Sequence, residues 1–429
     1  MAVYHKLNKS DSIQIRQAKK SLFNRTKRKD KLHNGNLKFS VGKSSIERYK
    51  RSKIKFNNDI EVFCAVNNLH FWELKSSVIK FDNDFSISSN TDRVLKDLLI
   101  LLRHAKTLNQ NPRLTFNGHV SFGALYLIDT LCWEIGKRRQ WVVSHPNLPD
   151  EEIEILKSLK SNVSSSVENE HEFLINERVR INRTTGSAGN QPYYARAKEI
   201  TDMVQKAIGI SLNDNNYQLP FDIAQAINST VGEQFDNINL HATETDLGTL
   251  CGFYSKAKKE ISILIFNFGP TIYQTLSLAE LPQNVIQYIK TVKLNFGFSN
   301  KDDIRKQRQN HTIESIYTLL ALQEGISSKL KEDESRGHGL IDFIEKVKLL
   351  NPRSQISVIS GNTGIYLNNN SAMSESFLID RERKQITLNQ EGNLLSSPNL
   401  ENLKHLKYQF PGVLIETIIP LNDVSLQTL

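Results

Sequence analysis

The stretch Glu233-Gln-Phe-Asp-Asn237-Ile-Asn-Leu-His241 has the residue types and the spacing to do chemistry. On a helix, Glu233, Asn237 and His241 lie four apart and share one face. A carboxylate so placed can orient or deprotonate a water, and an amide oxygen one turn on can ligate a Mg²⁺ ion carried by a nucleotide. Taken alone, the triplet also reads as a solvated polar stripe. Two further segments have related chemistry. The apolar run Ile261–Phe266 ends in Asn267-Phe-Gly269-Pro-Thr271, and a glycine just past a buried strand lets the backbone approach a ligand. Gly337-His338-Gly339 stands before the helical run Ile341–Leu350, where free N–H groups suit a phosphate.

The elements that must position these residues follow from periodicity. In 191–429 the pattern predicts helices over Tyr193–Ile208 and Pro220–Ala242 and a buried strand over Glu260–Phe266. Helices over Leu281–Val292, Ile313–Gln323 and Ile341–Leu350 follow, with strands at Gln355–Ile359, Gly364–Leu367 and Val413–Ile419. An earlier unit, 57–160, reads as a strand-type run Ile60–Val66, a helix over Arg93–Leu108, a strand Arg113–Phe116 and a helix opening at Ser121. A strand Gln140–Ser144 and a helix Glu151–Leu159 close it. Between the two units, 161–190 is rich in Ser, Thr and Gly and reads as a linker. The expected class is α/β (α+β), with an antiparallel or mixed sheet carrying helices in the second unit.

The order of motifs in 191–425 resembles the ATPase superfamily of gyrase, heat-shock chaperone, histidine kinase and MutL type (GHKL). That resemblance implies a Bergerat-type two-layer α/β sandwich with a mixed sheet that binds ATP and Mg²⁺. It implies Glu233 as the catalytic base and Asn237 as the Mg²⁺ ligand. Asn267 and Gly269 stand at the adenine loop, Gly337 and Gly339 at the phosphates, and Thr363 in the polar turn Ser360–Gly364. Two positions depart from the family's DxGxG motif: the acid is Asn267 and the second glycine is Thr271. Asn267 keeps an acceptor oxygen for the adenine amino group but lacks the charge, a loss of about 1–3 kcal/mol. Binding with slow or absent turnover is therefore an alternative to hydrolysis or serine-kinase activity.

The first unit resembles a STAS-like domain of the sigma-factor-antagonist type through Leu114–Leu127, Trp141-Val-Val and Asn147-Leu-Pro. Kinases of the GHKL superfamily phosphorylate a serine near the start of the helix after a strand in such domains. Ser121 stands near that place as a phospho-acceptor, or as the N-cap of its helix.

Charge divides the chain differently from chemistry. Of the +9 net charge, residues 1–56 hold 17 Lys/Arg against three acids, a local +14, and the remainder sums to −5. The basic arm suits nucleic acid or another anionic partner. No run of about 18 apolar residues exists, which excludes a membrane-spanning helix, and no secretory signal is expected at the N-terminus. Cys64, Cys132 and Cys251 form no CxxC pair, which speaks for a reducing cytoplasm. HExxH and GxxxxGK motifs are absent from the sequence. The expectation is a cytoplasmic nucleotide-binding regulatory protein with a regulatory protein partner and an open oligomeric state. The alternatives are a degenerate interaction module or a nucleic-acid-binding subunit recruited through the arm, with bacterial defence as one such setting.

Overall fold

Hydrophobic residues that alternate along the strand Glu260–Phe268 (β4) account for the architecture. In the computed structural model, Ile261, Ile263 and Ile265 join one apolar cluster, while Leu264, Phe266 and Phe268 join another. Both faces of the strand are therefore buried, and both need a covering layer. The structure describes residues 58–67, 78–81, 84–107, 113–116, 118–139, 191–229, 231, 248–255, 258–299, 308, 310–327, 339–368, 372–379 and 381–421.

The central sheet has the order β3-β4-β8-β5, formed by Gly248–Ser255 (β3), Glu260–Phe268 (β4), Leu403–Pro420 (β8) and Gln355–Leu367 (β5). Every pairing in it is antiparallel. Of the antiparallel or mixed sheet expected from the residue pattern the structure has the antiparallel one, and the mixed sheet implied by the resemblance is corrected. β4 and β5 do run in the same direction, but β8 lies between them and hydrogen-bonds to both. One face carries the helices Gln191–Leu212 (α4), 221–229 (α5) and Gly339–Leu350 (α9), whose apolar residues form a cluster with Ile356, Val358 and Ile415.

The other face is covered by the N-terminal elements. These are Asn58–Val66 (α1), Val78–Phe81 (β1), Ile87–Thr107 (α2), Arg113–Phe116 (β2) and Phe122–Arg139 (α3), with β1 and β2 paired in parallel. Rings interlock across this junction. Phe122 stacks on Phe253 with centroids 5.3 Å apart, Tyr126 meets Phe266 edge-on at 6.3 Å, and Phe63 meets Phe268 edge-on at 6.3 Å. One apolar cluster thus spans the two units expected from sequence, and the sheet carries layers on both faces instead of the expected two-layer arrangement. The cause is the aromatic content of the second face, which water would otherwise wet.

Several elements differ locally from expectation. Residues Ile60–Val66 form a helix: Ile60 and Phe63 are fully buried, and Asn67 one turn on donates to the Phe63 carbonyl at 2.9 Å. A run of β-branched and aromatic residues masked that 3.6-residue period. The separate strands at Gln355–Ile359 and Gly364–Leu367 are one strand, interrupted by register shifts at Ser360/Gly361 and Gly361/Thr363. The polar run that reads as a turn is a bulge. The hairpin Ala372–Leu378 (β6) with Arg381–Thr387 (β7), and the strand β3, were not expected. Gln140–Ser144, Glu151–Leu159, the linker and the basic arm lie outside the described residues.

The bulge leaves β8 backbone groups without partners on β5, and the N-terminal unit supplies them. Asp92 Oδ1 accepts from Lys407 N (2.7 Å) and Tyr408 N (3.1 Å), and Asn67 Oδ1 accepts from Gln409 N (2.7 Å). Buried backbone donors must be satisfied in this way. Since β8 is the last of the described strands in sequence and an inner strand in space, deleting 403–429 should abolish cooperative unfolding. Circular dichroism and urea titration of the truncated chain check this, and a retained cooperative transition contradicts it.

Candidate functional site

The loop that follows β4 is built against the last strand. Asn267, in the helix-facing row of β4, is nearly buried, and its backbone pairs with Gly248 and Val413. Its amide makes no side-chain hydrogen bond with another described residue. Gly269 N donates to Pro411 O at 3.0 Å. Opposite it, Gly412 has φ +139, and any Cβ there would overlap the Asn267 carbonyl oxygen and stand 3.0 Å from Gly269 N. The loop and β8 approach so closely because position 412 has no side chain.

Thr271, where the resemblance implied a second glycine, caps the helix Ile272–Leu278 (α6). Its hydroxyl accepts from Gln274 N at 3.2 Å, and Gln274 Oε1 accepts from Thr271 N at 2.8 Å, a reciprocal capping box. Ile272 N donates to Ser360 Oγ on β5 at 2.9 Å. On β5, Thr363 is fully buried and its Oγ1 has no hydrogen-bond partner among the described residues. It stands two residues before Ile365, on the face that carries the helices.

The remaining expected site residues distribute as follows. Gly339 is the first residue of α9, a helix of 12 residues. Glu233, Asn237 and Gly337 lie outside the described residues, as do His241 and His338. Thus the described part of the site brings Asn267, Gly269, Thr271 and Thr363 to one side of the sheet. Sequence reasoning missed Glu314 in the first turn of Ile313–Leu320 (α8), whose carboxyl oxygen lies against Gly361 of β5 beside Thr271 Cγ2. Burial pushes that carboxyl up to about 7. A Glu just after a helix start usually reads as a partner of the helix dipole, and nothing local marked its tertiary contacts.

Ser121 is buried and caps α3, its hydroxyl accepting from Ala124 N at 3.3 Å. It also donates to Glu416 Oε1 at 3.2 Å, which accepts a second bond from Gly123 N at 3.2 Å. The N-cap alternative describes this geometry. As placed, the hydroxyl is closed to a phosphoryl donor and faces a carboxyl group.

Comparison with protein-family models, curated proteins and solved structures finds no match. Among the described residues, no helix is long and apolar enough to cross a membrane. Nor does any group of three or more His, Cys, Asp or Glu among them stand where it could hold a metal ion.

Proposed function

We propose that the protein binds ATP–Mg²⁺ on the helix-bearing face of its sheet and acts as a nucleotide-dependent regulatory protein of the GHKL type. The observation that carries the reading is that Asn267 and Thr363 both stand on the helix-bearing face of the sheet. The first is a nearly buried amide at the end of β4, and the second is a buried hydroxyl without a partner on β5. Unspent polar groups on a buried face are costly unless a ligand or water meets them. The glycine at 412, which lets the Asn267–Thr271 loop close on β8, supports the same reading.

In this assignment Asn267 and Thr363 hold the base, and N–H groups around Gly337 and Gly339 hold the phosphates. Asn237 ligates Mg²⁺, which neutralises phosphate charge when bound. Glu233 orients the attacking water. The N-terminal STAS-like unit packs on the opposite face of the same sheet and is the surface through which nucleotide state reaches a protein partner.

Isothermal titration with ATP and Mg²⁺ tests the reading. Binding at or below millimolar concentration is expected, and none by the folded protein sinks it. Asn267→Asp restores the charged acceptor and should tighten binding by about tenfold or more. An unchanged or weaker affinity in that variant removes Asn267 from the base site. Single-turnover hydrolysis with Glu233→Ala separates binding from catalysis.

A further inference from the structure

We propose that Glu314 is a positioning residue: it ties the Asn267–Thr271 loop to the bulge of β5 and so sets how tightly the site holds a nucleotide. The proposal rests on the nucleotide reading above. Three elements converge on this one half-buried side chain. It stands in the first turn of α8, its Oε1 lies against Gly361 in the bulge of β5 beside Thr271 Cγ2 from the start of α6, and the Asn362 N–H and the Thr271 hydroxyl offset part of the cost of its charge. Gly361 makes the contact possible. Its φ is +57, and a Cβ there would overlap Glu314 Oε1 and lie 3.2 Å from Thr271 Cγ2. The Ile272 N–H to Ser360 Oγ bond is a second tie between the same loop and strand. Thr363, with its unpartnered hydroxyl, is the next residue after Asn362. The bulge that Glu314 holds therefore presents Thr363, and the loop it holds presents Asn267.

This arrangement responds to pH. Burial opposes ionisation of Glu314, and no cation contributes to its shift. Tyr273 of α6 faces it and is raised partly by its charge. Tyr317 on α8 is coupled to Tyr273, and Lys293 of Gln283–Asn295 (α7) sits 5.9 Å over the Tyr317 ring. From β5, the uncharged Gly361 and Asn362 face it. The fold favours the acid form, so the tie is tightest below neutral pH and loosens as the carboxyl ionises.

Full-length wild type and Glu314→Gln, which cannot ionise, are compared at pH 6 and pH 8. Hydrogen exchange of the Asn362 amide, without nucleotide and corrected for intrinsic rate, reads the tie itself. Its protection should fall about fivefold from pH 6 to pH 8 in the wild type and stay nearly flat in the variant. ATP–Mg²⁺ titration at the same pH values reads the consequence. The wild-type-to-variant affinity ratio removes the nucleotide's own titration, and it should also fall about fivefold. Identical protection profiles in the two proteins overturn the proposal. ATP binding with a pH-independent ratio overturns the role of Glu314 and leaves the nucleotide reading standing. A wild type that binds no ATP at either pH overturns that reading and the proposal with it.

Discussion

Gly412→Ala is expected to destabilise the protein by about 3 kcal/mol or more and, on the nucleotide reading proposed above, to remove ATP binding with it. Position 412 has φ +139, a conformation that side chains rarely adopt. The added methyl would also collide with the Asn267 carbonyl oxygen and crowd Gly269 N. The chain can relieve this only by lifting the β4 loop away from β8, which breaks the Gly269 N–H to Pro411 O bond. The loop so displaced carries Asn267 and Thr271. Urea titration measures the first effect and ATP titration the second. A variant with wild-type stability would mean that the close approach of loop and strand is not needed for folding. The same substitution at Gly392, whose φ is +63 and whose Cβ would meet nothing, adds strain without collision and serves as a control.

The second large effect is electrostatic and sits on the opposite face of the sheet. Glu416 projects from β8 among the apolar residues under α2 and α3, is fully enclosed, and has its carboxyl pushed up to about 7 by burial. Ser121 Oγ and the Gly123 N–H bond to it, Glu260 raises it further by repulsion, and Tyr366, raised chiefly by burial, is raised further by its charge. A carboxyl raised in the folded state contributes stability that is full below its unfolded pKa and is lost as pH rises through the folded one. The window is therefore from about 4.5 to about 7. Glu416→Gln keeps an acceptor for Ser121 and Gly123 but carries no charge. Relative to the wild type it should gain about 2 kcal/mol between pH 5.5 and pH 8. Burial lowers His104, His311 and His405, which act in the opposite direction as pH falls, and these are common to both proteins. The difference in unfolding free energy at the two pH values isolates Glu416, and a pH-independent difference contradicts its titration. Glu416→Ala, which leaves Ser121 and the Gly123 N–H without their acceptor, should cost about 3 kcal/mol at pH 6.

The two carboxyl groups, Glu314 and Glu416, illustrate what a one-dimensional reading passes over. Each is an isolated acid in an ordinary context: one follows a helix start, the other interrupts the apolar run Val413–Ile419. Their neighbours, Thr271 and Gly361 for the first and Ser121 and Gly123 for the second, are distant in sequence. No spacing rule connects them.

Local pattern did determine much of the protein. The alternation from Ile261 to Phe266 placed β4, and the 3.6-residue period placed most of α2, α4, α7, α8 and α9. Those signals are legible because each depends on contacts within one turn or one strand. What only the tertiary structure decided is how the layers close. Ile60–Val66 is a helix because its buried face packs under β8, and the polar run from Ser360 is a bulge because Asp92 and Asn67 accept the β8 donors it leaves open. The N-terminal unit covers the aromatic face of the central sheet, and the last strand enters between β4 and β5. Such choices are made by apolar area and unpaired backbone groups brought together from opposite ends of the chain, and no window of neighbouring residues contains them.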